Sequence, residues 1–321
     1  MQPLAGTLVV DLTRYLPGAF ASRELLRLGA RVVRLEPPEG DSMRSTAAAW
    51  EAALNAGKES VAVDLKQEPE LARALCARAD VVLEGFRPGV AARLGIGPGD
   101  VPASVVYCSI TGFGDSGSHA GRAGHDLNYA GWAGMLEDTA PGLPPLQPAD
   151  LAAGALAAVT EVLAALLERQ RTGRGARLTI SMTHGSHQLV AHRLGGDPLP
   201  RFLTGGLACY RIYATADARH LTVAALEPKF FVRLCEVIGR PELADRQYDP
   251  EGQEDLATEL AAVFAARPLA EWLDRFDGED ACVGPVATLA EAAAEFGEAN
   301  DLPSAPVGQH TSAWRVELES S

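Results

Sequence analysis

Cysteine is scarce in this chain, and the cysteines present are scattered. They stand at Cys76, Cys108, Cys209, Cys235 and Cys282, and no two of them form a CxxC pair. An odd, dispersed set argues against a disulfide framework and against a zinc site. We therefore expect buried core thiols and no metal-binding residues.

Long apolar runs are also missing. No segment reaches the ~18 uninterrupted apolar residues that a membrane span needs, and the nearest candidate, 151–167, is broken by Glu161. The amino-terminal residues lack the basic start and apolar block of a signal peptide and are typical of a first strand. These features predict a cytoplasmic protein with no membrane partner.

Positive charge is in short supply, because the formal net charge is −14 at pH 7. Nucleic acids are bound through clustered lysines and arginines, so we expect no nucleic-acid partner. A phosphorylated small molecule is not excluded, because screening over roughly 8–10 Å lets local arginines dominate.

What the chain does contain is a regular alternation of apolar runs and amphipathic segments. The 321 residues suffice for about two domains. Predicted strands at 8–12, 31–35, 60–65, 81–84 and 104–110 are interspersed with helical segments such as 19–28 and 68–79. This order predicts an α/β fold with a Rossmann-like large domain and a parallel sheet.

The second half of the sequence changes character. An Ala/Leu-rich helix at 151–171 precedes a strand at 177–181, and 184–207 shows so little periodicity that it indicates a crossover between domains. Strands at 209–214 and 220–225 and helices at 228–238, 254–266 and 269–276 follow. We predict a large domain at 1–185, a linker at 186–204, a smaller α+β domain at 205–295 and a tail at 296–321 that returns to the large domain.

The residues that indicate a catalytic reaction lie at 124–150, up to the start of the long helix. Gly-His-Asp-Leu-Asn-Tyr at 124–129 places His125 ahead of Asp150, which stands at the predicted N-cap of the long helix. A histidine and a carboxylate that converge on one carbon can pass a proton across it, as an isomerase does. Taken alone, either residue is as well explained as a surface or N-cap residue.

Several motifs in order along the chain resemble the class III CoA-transferase superfamily. They are Val-Val-Asp-Leu-Thr at 9–13, Leu-Gly-Ala-Arg-Val-Val-Arg-Leu-Glu-Pro at 28–37, Leu-Asn-Ala-Gly-Lys at 54–58, Val-Asp-Leu-Lys at 63–66, Glu-Gly-Phe-Arg-Pro-Gly-Val at 84–90 and Ser-Ile-Thr-Gly-Phe-Gly at 109–114. Within that superfamily, the motif at 124–129 is similar to the α-methylacyl-CoA racemase branch. The transferases usually carry Tyr-Asp where this chain has His125-Asp126.

The resemblance implies roles for three residues. His125 and Asp150 would be the two acid/base groups, and Glu227 would hydrogen-bond the His125 ring and orient it. Backbone N–H groups of the helix that begins at Asp150 would stabilise the enolate oxygen. Asp126 occurs in both branches and is interpreted as a cap of the following helix.

The resemblance also implies a coenzyme A thioester as substrate, with no further cofactor, and an interlocked homodimer with active sites between subunits. Arg34, Lys58, Arg87 and Arg93 are predicted to surround one cleft and bind the CoA phosphates. For the arginines the simpler alternative is solvation at the surface.

Three functions remain open at this level. The first is a racemase or epimerase that inverts the α-carbon of a 2-methylacyl-CoA. The second is a CoA-transferase in which Asp150 is the nucleophile that forms an acyl-enzyme. The third is a CoA-ligand-binding homologue without turnover. His125 distinguishes the first two, because only inversion needs a second proton carrier.

Overall fold

The computed structural model describes residues 1–196, 201–297 and 303–320. The chain divides into two compact units, Met1–His192 with Ala299–Ser321, and Arg193–Glu298. The sequence analysis set the end of the large domain at 185 and the start of the small domain at 205. The carboxyl-terminal segment belongs to the first unit.

A six-stranded parallel sheet forms the centre of the first unit, in the order β3-β2-β1-β4-β5-β6. This is the strand order of the doubly wound Rossmann fold, in which ligands bind where the order reverses, between β1 and β4. The predicted α/β class is therefore confirmed. The strands are β1 (Leu8–Asp11), β2 (Arg31–Glu36), β3 (Glu59–Ala62), β4 (Val81–Glu84), β5 (Val106–Thr111) and β6 (Arg177–Ser181).

Helices connect these strands and cover both faces of the sheet. They are α1 (Tyr15–Arg27), α2 (Met43–Thr46), α3 (Ala48–Asn55), α4 (Pro69–Arg78), α5 (Val90–Arg93), α6 (Asp126–Trp132), a π-helix (Ala149–Leu156), α7 (Ala157–Thr172), α8 (Met182–Val190) and, after the second unit, α13 (Thr311–Glu319).

Each face of the sheet has its own apolar core. Val9 and Val32 belong to one core and their neighbours Val10 and Val33 to the other, because side chains alternate along a strand. All four are 1% exposed or less, as expected for strands covered on both faces. Trp314 of α13 is buried in the second of these cores. The end of the chain is thus part of the first unit's hydrophobic core.

The π-helix and α7 form one continuous apolar stretch, Ala149–Thr172, that is long and apolar enough to cross a membrane by length and composition. Its Ala158, Val162 and Leu166 pack in the core beneath the sheet. A core helix meets the same length and composition test, and the burial of these side chains accounts for the apolar sequence.

The second unit is built around a small antiparallel sheet in the order β7-β8-β9. Phe231, Leu234, Phe264 and Trp272 are buried in its core, and the Trp272 Nε1 donates a hydrogen bond to the Phe264 carbonyl over 2.9 Å. Its elements are β7 (Tyr210–Ala214), β8 (His220–Ala224), α9 (Pro228–Val237), a 3-10 helix (Pro241–Arg246), α10 (Gln253–Phe264), α11 (Leu269–Phe276), β9 (Val283–Pro285) and α12 (Leu289–Phe296).

The structure differs from the sequence analysis in its details. The predicted linker 186–204 begins as regular structure, since α8 runs to Val190 and a 3-10 helix, Ala191–Gly195, follows. The Ser181 side chain caps α8 by accepting the His184 backbone N–H, a signal that the sequence analysis overlooked. Residues 197–200 of the linker lie outside the described residues. Strand β9 was not predicted, because three residues carry too little pattern.

A buried ionic cluster stabilises the carboxyl end of β2. Arg34 is 5% exposed, and its guanidinium binds Asp41 at 2.9 Å and Glu51 at 2.5 Å. Both carboxylates are buried as well. Removing the cation from such a cluster leaves two charges unpaired in a poorly solvated environment, which costs far more than the loss of a surface pair.

Arg34→Gln should therefore lower the free energy of unfolding by about 3–5 kcal/mol in equilibrium urea denaturation. Arg171→Gln is the matched control, because Arg171 pairs with Glu168 where the side chains are 73% and 53% exposed. The control should change stability by less than about 1 kcal/mol. Equal losses in the two variants would contradict a stabilising role for the buried cluster.

Candidate functional site

A cavity of about 510 Å³ lies where the strand order of the first unit reverses. The segments that follow β1 and β4 contribute Thr13 to Tyr15 and Gly85 to Pro88, and the end of β5 with the next residue contributes Ile110 to Gly112. The segment 120–129 forms another part of the wall, together with Asp150 and Met182. The cavity therefore occupies the position at which doubly wound proteins bind ligands.

His125 lines this cavity as the N-cap residue of α6. Its backbone is extended, with φ −130° and ψ 177°, and its backbone N–H donates to the Asn128 Oδ1 over 3.1 Å. That side-chain contact from the first turn of α6 fixes the backbone from which the imidazole projects. The ring contacts the edge of Tyr15, with centroids 6.2 Å apart and planes at 89°.

Tyr15 adopts an unusual backbone conformation, with a φ of 66°. Positive φ is uncommon for a bulky residue and marks a position that its surroundings hold against strain. The tight packing of the following turn is one such constraint, since a Cβ at Gly18 would lie 2.0 Å from the Thr13 Oγ1. The sequence analysis did not select Tyr15, because residue type gives no indication of positive φ at a tyrosine.

Asp150 lines the same cavity, so the structure brings His125 and Asp150 together. The prediction that Asp150 is an N-cap is wrong: Pro148 holds the N-cap position and Asp150 is the second residue of the π-helix. Burial and, to a smaller extent, the nearby Asp126 carboxylate together raise the pKa of the Asp150 carboxyl to about 7.

Asp126 also connects the two candidate groups physically. Its Oδ1 accepts the Asp150 backbone N–H over 2.8 Å, and the residue is 8% exposed. Its side chain therefore ties the first turn of α6 to the start of the π-helix, a role beyond the predicted cap.

The predicted oxyanion donors at Asp150 are already engaged. The Asp150 N–H binds Asp126, and the Leu151 N–H donates to the Gln147 carbonyl over 2.9 Å. The amino end of α6 can also offer N–H donors, because the first N–H groups of any helix have no partner within the helix. At α6 these groups belong to Asp126 and Leu127, directly after His125.

Two of the predicted phosphate-binding residues are unsuited to that role. Arg34 is buried with both ends of its guanidinium bound to carboxylates, as described above. Lys58 is 3% exposed, and its Nζ donates to the Ala19 carbonyl, the Ser22 Oγ and the Asn55 Oδ1 at 2.7–2.9 Å. Burial lowers the pKa of Lys58 to about 8. These side chains hold the fold together, and we correct their assignment accordingly.

The remaining predicted residues are placed differently from one another. Arg87 lines the cavity. Arg93 is exposed on α5 and does not line it. Glu227 belongs to the second unit, at the N-cap of α9, so its hydrogen bond to His125 stays a prediction.

The cavity wall contains polar residues that the sequence analysis did not select. Arg14 and Arg122 line it, as does Tyr129, whose hydroxyl donates to the Gly124 carbonyl. Burial raises the pKa of Tyr129, and Asp150 contributes to that shift. Arg122 stands only three residues before His125, a proximity in sequence that could have drawn attention to it.

A second cavity of about 390 Å³ adjoins the first on the side of β2 and β3. The two share Arg14 and Phe86 as wall residues. Leu35, Pro37 and Lys66 are among its other lining residues. Over the part of the chain that the structure describes, no group of three or more His, Cys, Asp or Glu side chains is arranged to hold a metal ion.

Comparison with known proteins places this site in a family. The family model described as CoA-transferase family III matches residues 4–308, and the chain belongs to that family. The sequence is 36% identical over 307 residues to an alpha-methylacyl-CoA racemase of Homo sapiens, covering 90% of this chain and 78% of the relative. It is also 32% identical over 326 residues to a succinyl-CoA:glutarate CoA-transferase of Mus musculus, covering 92% of this chain and 74% of the relative.

The fold is shared with solved structures of the family. A CAIB/BAIF family protein from Brucella suis superimposes with a TM-score of 0.84 at 27% identity, covering 98% of this chain and 99% of that one. The similarity thus extends over both units of the chain. Racemases and transferases are both among the relatives, so the family alone does not determine the reaction.

The hydrogen bond between Asp126 and Asp150 predicts how substitutions at Asp126 change the pKa of Asp150 and the stability of the fold. Asp126→Asn keeps an oxygen that can accept the Asp150 N–H but removes the charge, so the pKa of Asp150 should fall below about 7. Asp126→Ala should also destabilise the fold by about 1–3 kcal/mol, because it leaves the partly buried Asp150 N–H without its acceptor.

Carbon-13 NMR titration of aspartate-labelled protein measures this pKa, with the resonance identified by its absence in Asp150→Asn. The exposed Asp277 of the second unit provides a control, since Asp277→Asn removes the same charge elsewhere. An unchanged Asp150 titration in Asp126→Asn would refute the electrostatic coupling.

Proposed function

We propose that this protein is an acyl-CoA racemase or epimerase that inverts the α-carbon of a 2-methylacyl-CoA thioester. The observation that carries the proposal is the convergence of His125 and Asp150 on one cavity of the first unit. In this reaction one group removes the α-proton, an enolate forms, and the other group returns a proton to the opposite face. No co-reactant is required, because one proton leaves the carbon and one arrives.

The environment of Asp150 suits this chemistry. A pKa of about 7 means that the carboxyl is available both as an acid and as a base at neutral pH. An ordinary aspartate would be a weak base and almost wholly ionised. The structure raises this pKa by burial and by the adjacent Asp126, so the same contact that positions Asp150 also adjusts its protonation.

The enolate intermediate needs a partner for its negative oxygen. We assign this role to the first-turn N–H groups of α6, since the donors at Asp150 are engaged. The thioester oxygen would then bind beside His125, with the α-carbon between the imidazole and the Asp150 carboxyl.

The coenzyme A portion would extend from this cavity into the neighbouring one. Arg14 and Phe86 line both, which provides a continuous path for a long ligand. Arg87 and Lys66 supply positive charge for the phosphates along that path, beside the carboxylates of Glu36, Glu39 and Asp64 that also line the second cavity. Coenzyme A is the carrier of the substrate in this proposal.

The proposed assembly is a cytoplasmic homodimer with interlocked subunits. Glu227 would support the imidazole of His125 within that assembly, as an orienting carboxylate does in a catalytic triad.

CoA transfer is the alternative reaction, supported by the 32% identity to a succinyl-CoA:glutarate CoA-transferase. Asp150 would then attack the thioester as a nucleophile and form a mixed anhydride. Its raised pKa suits proton transfer in both directions, whereas a nucleophile needs only the ionised form and gains nothing from the protonated one. A homologue that binds CoA ligands without turnover is the third possibility, and the joint presence of His125 and Asp150 in one cavity argues against it.

The racemase proposal is tested by incubating one enantiomer of a 2-methylacyl-CoA in deuterated water. The protein should incorporate deuterium at the α-carbon and invert it. His125→Ala and Asp150→Asn should each slow inversion by at least about 100-fold, because each removes one of two required proton carriers. His220→Ala, at an exposed position of β8, is the matched control and should invert at the normal rate.

The transfer alternative gives a different pattern. A free carboxylic acid is added as acceptor. CoA transfer to this acid without α-deuteration, and an acyl adduct of Asp150 trapped by hydroxylamine, would show that the reaction is transfer and not inversion. A thioester that binds but undergoes neither α-deuteration nor CoA transfer would favour the non-catalytic homologue.

The proposed assembly makes a separate prediction. Sedimentation velocity at micromolar concentration should give a mass twice that of the chain. If Glu227 supports His125, Glu227→Gln should reduce kcat more than it changes KM, because an orienting group is needed chiefly in the transition state. A monomer in sedimentation would remove the interlocked dimer from the proposal.

A further inference from the structure

The backbone on both sides of His125 is held by two residues of α6, Asn128 and Tyr129. On the carboxyl side, the His125 carbonyl accepts the backbone N–H groups of Asn128 over 2.8 Å and of Tyr129 over 3.2 Å, as expected of an N-cap residue. On the amino side the same two residues act through their side chains. The His125 N–H donates to the Asn128 Oδ1 over 3.1 Å, and the Gly124 carbonyl accepts the Tyr129 hydroxyl.

The two amino-side hydrogen bonds act on a single rigid group. The Gly124 carbonyl and the His125 N–H belong to one peptide plane, so bonds to both of them prevent this plane from turning. Rotation of the plane about the N–Cα bond of His125 is the φ angle, here −130°. Because the helix fixes the other side of the residue, the Cα–Cβ bond of His125 has one direction. The imidazole then moves only about its own side-chain bonds.

The Tyr129 side chain is itself closely packed. It is 7% exposed, and its ring contacts the Phe113 ring edge-on, with centroids 5.3 Å apart and planes at 82°. A Cβ at Gly124 would lie 2.8 Å from the Tyr129 Cε1, and one at Gly112 would overlap the same ring. Burial raises the pKa of the hydroxyl, so it stays protonated and able to donate at neutral pH. The hydroxyl therefore has a fixed place from which it binds the Gly124 carbonyl.

The imidazole of His125 depends on such restraint, because packing alone does not hold it. His125 is exposed to solvent, whereas Tyr129 is buried. Tyr15 limits the ring from one side through the edge contact at 6.2 Å. A proton carrier must lie within hydrogen-bonding reach of the atom that it serves, and a displacement of about 1 Å can cost about 100-fold in rate. The backbone supplies a further restraint, one that does not depend on Glu227.

We propose that Tyr129 is a positioning residue for His125: its hydroxyl, together with the Asn128 side chain, fixes the peptide before His125 and so directs the imidazole into the cavity. The inference rests on the proposed function for one point, the role of His125 as a proton carrier. Tyr129 transfers no proton itself, since its hydroxyl is engaged with the Gly124 carbonyl.

Tyr129→Phe tests this role, because it removes one oxygen and leaves the ring in its packing. Exchange of the α-proton is measured in deuterated water for each enantiomer of a 2-methylacyl-CoA. The enantiomer whose α-proton faces His125 is the one that stops exchanging in His125→Ala. Tyr129→Phe should slow exchange of that enantiomer by about 10-fold or more, with KM within about twofold. The other enantiomer should be little affected, because the Asp150 side keeps its alignment.

Substitutions at Asn128 test the second hydrogen bond to the same peptide. Asn128→Asp retains an oxygen that accepts the His125 N–H, so it should exchange both enantiomers at close to normal rates. Asn128→Ala removes that acceptor and should slow the enantiomer that faces His125. Its effect should be smaller than that of Tyr129→Phe, because the bond from the His125 N–H is exposed to water.

Tyr107→Phe is the matched control. The Tyr107 hydroxyl also donates to a backbone carbonyl, that of Ile96, over 2.9 Å, and the residue is 1% exposed. Tyr107 lies in β5 and does not line the cavity. The variant loses a buried hydrogen bond of the same kind, so both enantiomers should exchange at normal rates. Equal slowing of the two enantiomers in Tyr129→Phe, or undiminished exchange by that variant, would overturn the positioning role.

The rotamer of His125 gives a readout that does not require turnover. Three-bond NMR couplings about χ1 should show one rotamer in the unmodified protein and in Tyr107→Phe, and averaging over several in Tyr129→Phe. That result without α-deuteration of any thioester would uphold the positioning of His125 and reject the racemase. α-Deuteration by the unmodified protein, with the same rotamer in all three proteins, would uphold the racemase and overturn the inference.

Discussion

The hydrogen bond from the Asp150 backbone to the Asp126 carboxylate is the contact on which the site depends. It joins two helix starts that are 24 residues apart in sequence, and so determines where His125 and Asp150 lie relative to one another. It also places two carboxyl groups close together in a partly buried environment. Burial raises the pKa of Asp150 and the proximity of Asp126 adds to that rise, so this contact contributes to both the geometry and the protonation of the site.

In the first unit, burial also decides which positive charges are paired. Arg34 and Lys58 are buried, and a buried cation needs partners, which here come from α1, α3 and Asp41 in the segment before α2. Arg14, Arg87 and Arg122 reach the cavity itself and remain unpaired among the described residues. The buried cations stabilise the loops, and the exposed ones are left for a ligand.

Within the described part of the first unit, backbone strain also lies at this cavity. Tyr15 holds a positive φ at the turn after β1, and its ring edge contacts the ring of His125. The close packing of Gly18 against Thr13 leaves that turn little freedom to relax. A parallel sheet can support such a turn because its strands are buried on both faces, so the strain is offset by the surrounding core.

The sequence by itself determined the layered α/β fold and most strand positions, and it selected His125 and Asp150 as candidates, because hydrophobic periodicity and local motifs are properties of neighbouring residues. It could not separate Arg87 from Arg34, since both are arginines near the ends of predicted strands, and only their surroundings differ: one lines a cavity and the other lies between two carboxylates. Likewise, only the tertiary structure shows that the N-cap is Pro148 and not Asp150. It also shows the link through Asp126 and the place of Arg122 in the cavity wall. Burial, pairing and pKa arise from groups that are distant in sequence and meet only when the chain has folded.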